Sequence, residues 1–168
     1  MARFLRALCV LFIFLISLAG CEKTEAKPTI ITDFTADFTA DFNDLSIDGK
    51  ITVNRQGMFN LSISSPETIN GLEIGYKGSV LSLGRDGLLC TADEAYLPDT
   101  AFSNIIKKVF ESLNHEEANS ALIISDNKIT VPSPVGKSEI TIDSEGKILS
   151  LKCEDSKLSI AFSNIEEI

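Results

Sequence analysis

Between Thr32 and Phe42 the chain reads TDFTADFTADF. Phe34, Ala36, Phe38, Ala40 and Phe42 share one parity, and Asp33, Thr35, Asp37, Thr39 and Asp41 share the other. A phenylalanine every fourth residue would also stripe a helix. That helix, however, would enclose threonines and aspartates, which are poor helix formers. Strict alternation of apolar and polar residues is the mark of a half-buried strand. The segment is therefore predicted to be a strand with an aromatic face, and the β-branched Ile30 and Ile31 before it agree.

The period of two continues. Leu45, Ile47, Ile51 and Val53 share a parity interrupted by Gly49, and Phe59, Leu61 and Ile63 follow the turn-like NRQG. Pro66 ends that run, Asn70-Gly71 marks a turn, and Leu72, Ile74 and Tyr76 alternate after it. Beyond a further turn at Lys77–Ser79 come Leu81 and Leu83, then GRDG, then Leu88 and Cys90. Six short runs joined by tight turns predict an antiparallel meander with one apolar face.

The rhythm changes after TADEAYLPDT, a loop in which Tyr96 and Leu97 stand just before Pro98. In FSNIIKKVFESL, the residues Phe102, Ile105, Ile106, Val109, Phe110 and Leu113 recur at helical spacing, with Lys107, Lys108 and Glu111 opposite. Asp99 or Thr100 is the expected cap. Alternation then returns in five further runs, over 121–125, 128–132, 138–143, 148–153 and 158–165.

One helix cannot cover roughly eleven strands laid flat, and open sheets of that width curl. The predicted fold is mainly β: a curved antiparallel half-barrel with one amphipathic helix in its concave face. Phe34, Phe38, Phe42, Ile47, Phe59, Leu61, Leu72 and Ile74 would line that face. Phe102, Ile106 and Phe110 of the helix, with the Tyr96–Leu97 loop, would cover it. Such a lining is either a packed core or the wall of a cavity, and an open hollow above ~300 Å³ would favour a ligand.

The N-terminus has a different character. Arg3 and Arg6 precede the 12-residue apolar run Ala7–Leu18. That run is too short for a membrane span of about 20 residues but suits a secretory leader. LAGC, Leu18–Cys21, then looks like a lipobox, in which the cysteine thiol takes a diacylglyceryl group and becomes the mature N-terminus. The alternative is an ordinary signal peptide with a coincidental cysteine. The expected organisation is a lipoprotein signal peptide over 1–20, a lipidated flexible tether over 21–30 and one domain over 31–168. The protein is thus expected outside the cytoplasm, anchored to a bacterial cell membrane by acyl chains such as palmitate on Cys21.

Composition narrows the function. The leader holds two of the 15 basic residues and none of the 24 acidic ones, leaving a mature balance of −11. Such a surface repels phosphate backbones, which argues against nucleic acid as a partner. Cys90 and Cys153 remain after the leader and Cys21 are set aside; they form either a possible disulfide or two buried thiols. Asp33, Asp37 and Asp41 recur every four residues, about 13 Å apart on a strand, too far to share one ion. With one histidine, His115, and no base beside a serine or cysteine, neither a metal site nor a catalytic constellation is predicted, and no cofactor is expected.

The stretch FTADFNDLSIDGKITVNRQGMFNLSISSPETINGLEIGYKGSVLSL carries a family resemblance. Its extended first strand, Gly49, Gly57 with Phe59, Pro66, and the Tyr76–Gly78 hairpin are similar to the LolA/LolB-like superfamily of lipoprotein carriers, over about residues 33–113. The soluble carrier has an arginine in its first strand region, and Phe34–Phe42 has none. The resemblance implies a half-barrel that shelters acyl chains. The expected function is a monomeric, non-catalytic lipoprotein that binds a lipid or a lipidated partner in that hollow. The alternative is an envelope sensor or scaffold that binds a protein through the same fold.

Overall fold

The computed structural model describes residues 29–54, 58–115, 124–133 and 135–168. The expectations for the leader, Cys21, the tether up to residue 28, and Gly57 lie outside the described residues. Among the described residues there are eleven strands: β1 (Phe34–Phe42), β2 (Leu45–Asn54), β3 (Met58–Ser65), β4 (Glu73–Lys77), β5 (Val80–Arg85), β6 (Leu88–Asp93), β7 (Ile124–Ser125), β8 (Lys128–Ser133), β9 (Gly136–Ile142), β10 (Ile148–Cys153) and β11 (Leu158–Glu167). Helix α1 (Phe102–Asn114) separates the first six from the rest, and single 3-10 turns occupy Glu67–Ile69 and Glu94–Tyr96.

Local chemistry makes the hairpins. Asn43 and Asp44, Asp86 and Gly87, and Asp126 and Asn127 all have positive φ at the centre of two-residue links. This is the mirror-image turn whose twist matches that of the flanking strands, and Asn, Asp and Gly tolerate it best. The strands form one open antiparallel sheet in the order β6-β5-β4-β3-β2-β1-β11-β10-β9-β8-β7. Two meanders therefore meet where the first strand pairs with the last, with Phe38 opposite Phe162. The result is the curved half-barrel, with α1 packed on its concave side and lying nearest β8.

Gly49 interrupts the parity of β2 for a steric reason. A Cβ there would stand 2.2 Å from the Ser62 carbonyl oxygen and 3.0 Å from the ring of Phe38, its partner across the ladder. The alternating Phe and Ala of β1 have a matching logic. Phe102 of α1 lies 6.2 Å from the Phe38 ring and 5.6 Å from Phe42, flanked by the two rings on either side of the small Ala40. Phe110 packs edge-on against Phe34 at 5.6 Å and near Phe162 at 6.3 Å. Each such pair contributes roughly 0.5–1.5 kcal/mol beyond the area it buries.

Several expectations are corrected. The helix N-cap is Ala101, and no side chain caps it, so neither Asp99 nor Thr100 has that role. Lys107, assigned by periodicity to the solvent face, is only 3% exposed, because the loop after β6 folds over it. Cys90 and Cys153 are free thiols, one exposed and one buried. They stand on β6 and β10 with six strands between them, on the order of 30 Å along the sheet, so the possible disulfide is not formed. Ile30, placed in the tether, packs against the core.

Candidate binding site on the concave face

The ladder registers of β4, β5 and β6 set the inward side chains in rows. Tyr76, Leu81 and Ala92 form the first row; Ile74, Leu83 and Cys90 the second; Arg85 and Leu88 end the third. Burial fades from row to row. Tyr76 and Leu81 are 2% exposed, Ile74 and Leu83 are half-buried, Cys90 is exposed, and Leu88 is 79% exposed. The reason is one of coverage. α1 lies toward β8, and the loop from β6 is tied to it at Leu97 and Pro98 beside Tyr76, so the inner face at Leu83, Cys90 and Leu88 is left as an apolar ledge.

The boundary between covered and open face is a buried polar cluster. The Tyr76 hydroxyl donates to Asn104 Oδ1 at 2.6 Å and lies 2.8 Å from Ser103 Oγ. Asn104 Nδ2 in turn donates to the carbonyls of Leu97 and Pro98, at 3.2 and 3.1 Å. One amide thus ties sheet, helix and loop together. Beside it the Lys107 ammonium stands 5.2 Å over the Tyr76 ring and pairs with Glu94 of the loop and with Glu111 at 2.8 Å. Burial alone would push Lys107 down, but these carboxylates outweigh it and hold its pKa above the ordinary lysine value. Burial pushes the Tyr76 phenol up.

The residues expected to line the hollow divide into three groups. Phe34, Phe38, Ile47, Phe59, Leu61, Ile106 and Phe110 are buried within the core. Phe42, Leu72, Ile74, Leu97 and Phe102 are half-buried and pack against that core. Tyr96 is 82% exposed, so of the two loop residues Leu97 faces inward and Tyr96 faces solvent. Leu83, Leu88 and Arg85 are not among the lining residues expected from the sequence, although the alternation along β5 and β6 puts them on the inner parity. Nothing in that alternation shows that the helix stops short of them.

Hollows of about 550, 290 and 410 Å³ are lined by described residues, and none of these three linings includes the core phenylalanines. The first is walled by the side chains of Thr130, Lys137, Glu139, Lys152, Glu154 and Asp155. Among the described residues no group of three His, Cys, Asp or Glu side chains is placed to hold a metal ion. Cys153 is a buried thiol with its sulfur 3.6 Å from Ser133 Oγ. Burial would raise its pKa, but hydroxyls, Ser156 first and then Ser133, bring it below the usual thiol value.

No protein-family model matches the chain, and no curated protein matches it. Solved structures are similar in fold. A protein from Thermus thermophilus, described as uncharacterized and conserved, shares 9% identity over 87% of this chain and 82% of its own, with a TM-score of 0.49. A LolA superfamily protein from Nitrosomonas europaea shares 10% identity over 88% and 91%, with a TM-score of 0.40. A DUF1329 family protein from Desulfovibrio piger shares 9% identity over 81% and 85%, also with a TM-score of 0.40.

Proposed function

We propose that this protein is a membrane-anchored, extracytoplasmic lipoprotein whose half-barrel shelters an acyl chain on the open margin of its concave face. The observation that carries the reading is the exposure of inward-facing apolar residues, with Leu88 at 79% and Cys90 exposed, beside half-buried Leu83, Ile74 and Leu72. An inner sheet face left in water loses the stabilisation of burial, about 25 cal/mol per Å² of apolar surface. A guest that covers it recovers that term, at ~0.8 kcal/mol for each methylene removed from water. The function is binding and asks for no catalytic group. The acyl chains expected on Cys21 hold the domain at the membrane, where such guests are concentrated.

The test uses the mature chain carrying Cys21→Ser, titrated with a fluorescent long-chain probe. Saturable binding that Leu88→Asp and Leu83→Asp weaken is the expected result. No saturable binding, together with no lipid extracted from the purified protein, rejects the reading.

A protein partner is the second reading, and one feature favours it: among the described residues β6 is an edge strand, with a strand on one side of it only. Such an edge can take up an extended segment of another chain. A photo-crosslinker at Leu89, on the outer face of β6, would capture that partner in cells. Cross-links to lipid alone, or none, go against it.

A further inference from the structure

The apolar ledge ends at a cation. Arg85 is the last residue of β5, on the inner parity, directly across the ladder from Leu88. Its Nη1 donates to the Thr68 carbonyl at 2.9 Å, so the side chain reaches from β5 past β4 to the turn after β3. It thereby closes the end of the ledge opposite the Tyr76–Asn104 cluster. Among the described residues its polar contacts are a single hydrogen bond to Thr68 and an Asp86 carboxylate at 3.7 Å, which leave further donors of the guanidinium for a ligand. Its side chain is 44% exposed and thus open to a ligand. Among the described residues it is the only arginine, in a chain of net charge −9.

From this placement we propose that the ledge takes a long-chain fatty acid, with its acyl chain across Leu83, Ile74 and Leu88 and its carboxylate on Arg85. This rests on the acyl-binding reading above and adds the chemistry of the head group. Arginine's planar fork matches a carboxylate with two parallel hydrogen bonds. Three rows of side chains, from Arg85 to Tyr76, give the tail a track of about 13 Å. The neighbouring charges select a monoanion. Asp86 lies beside the guanidinium, and Glu67 stands on the adjoining turn. Asp86 already stands against the one positive charge, so a ligand carboxylate adds one further negative charge to the setting, whereas a phosphate monoester would add close to two. A neutral ester would leave the guanidinium with the single carboxylate of Asp86 and no second partner for its fork.

The experiment compares a dansyl-tagged long-chain fatty acid, its methyl ester and the matching alkyl phosphate, each below its aggregation concentration, at mildly alkaline pH and low salt. The protein is the mature chain with Cys21→Ser. The acid is expected to bind about tenfold or more tightly than the ester, in line with a charge-assisted hydrogen bond, and more tightly than the phosphate. In Arg85→Met, which keeps a long apolar stem, acid affinity falls to the ester's level and ester affinity is unchanged. The unchanged ester binding also shows that the variant is folded. Equal binding of acid and ester by the unsubstituted protein overturns the role of Arg85 while leaving acyl binding standing. A phosphate preferred over the acid overturns the monoanion assignment. Failure of all three probes to bind removes the acyl-binding reading itself.

Discussion

The hydroxyl of Tyr76 on β4 donates to the side-chain oxygen of Asn104 on α1 across 2.6 Å, and both residues are buried. Because the Asn104 amide also holds the carbonyls of Leu97 and Pro98, this pair decides where cover over the concave face stops. Buried polar groups are costly when left unpaired, so loss of one member is felt by the others.

Tyr76→Phe is expected to lower stability by about 1–3 kcal/mol, because Asn104 Oδ1 then lacks its buried donor. Asn104→Ala should cost more and should also expose the 94–101 loop to proteases, since both carbonyl anchors go with it. Urea unfolding and limited proteolysis measure the two effects. A neutral Tyr76→Phe would mean that the hydrogen bond is not made.

Alkaline pH should loosen the same region. The pKa of Lys107 is raised: burial acts downward, but the pairs with Glu111 and Glu94 prevail. That of Tyr76 is raised chiefly by burial. Both groups hold their protons more tightly when folded. Their contribution is complete below the unfolded values, about 10 for tyrosine and 10.5 for lysine, and is lost as pH climbs through the higher folded ones. The urea midpoint should therefore stay level from neutrality to about pH 10 and fall beyond it. Lys107→Met should reduce that fall, and an unchanged profile would contradict the assignment.

The helix aromatics should be unequal. Phe110, 2% exposed and in contact with Phe34 and Phe162, is expected to cost about 3–5 kcal/mol as Phe110→Ala. Phe102→Ala should cost less, because Phe102 is only half-buried and water can reach the space it leaves. Equilibrium unfolding of the two variants settles the order.

The two thiols should separate kinetically. Cys90 is exposed on the edge strand, while Cys153 is fully buried beside serine hydroxyls. A thiol reagent applied to the folded mature chain with Cys21→Ser should modify Cys90 alone, with Cys153 reacting after denaturation. Peptide mass spectrometry reads this directly.

Anchoring is tested separately. Cys21→Ser in the full-length chain should move the protein from the membrane fraction to the soluble one. Tight membrane attachment of that variant would remove the lipid anchor from the account.

Much of this architecture is a local matter, and local chemistry is written in the sequence. Alternation in TDFTADFTADF made β1 a strand, since period two admits no other regular structure. The spacing of Phe102, Ile106 and Phe110 made α1, and Asp-Gly and Asp-Asn made turns. What the sequence by itself determined, then, was the set of elements, the parity of each and the apolar face they share. Tertiary structure alone decided which elements meet. The pairing of β1 with β11 joins residues more than a hundred positions apart, and no periodicity encodes a partner. Lys107 looked solvated because helical spacing knows nothing of the loop that brings Glu94 over it. Leu88 continues the apolar parity of its meander yet stands exposed, because parity says which way a side chain points, while only the assembled fold says whether anything lies there to cover it.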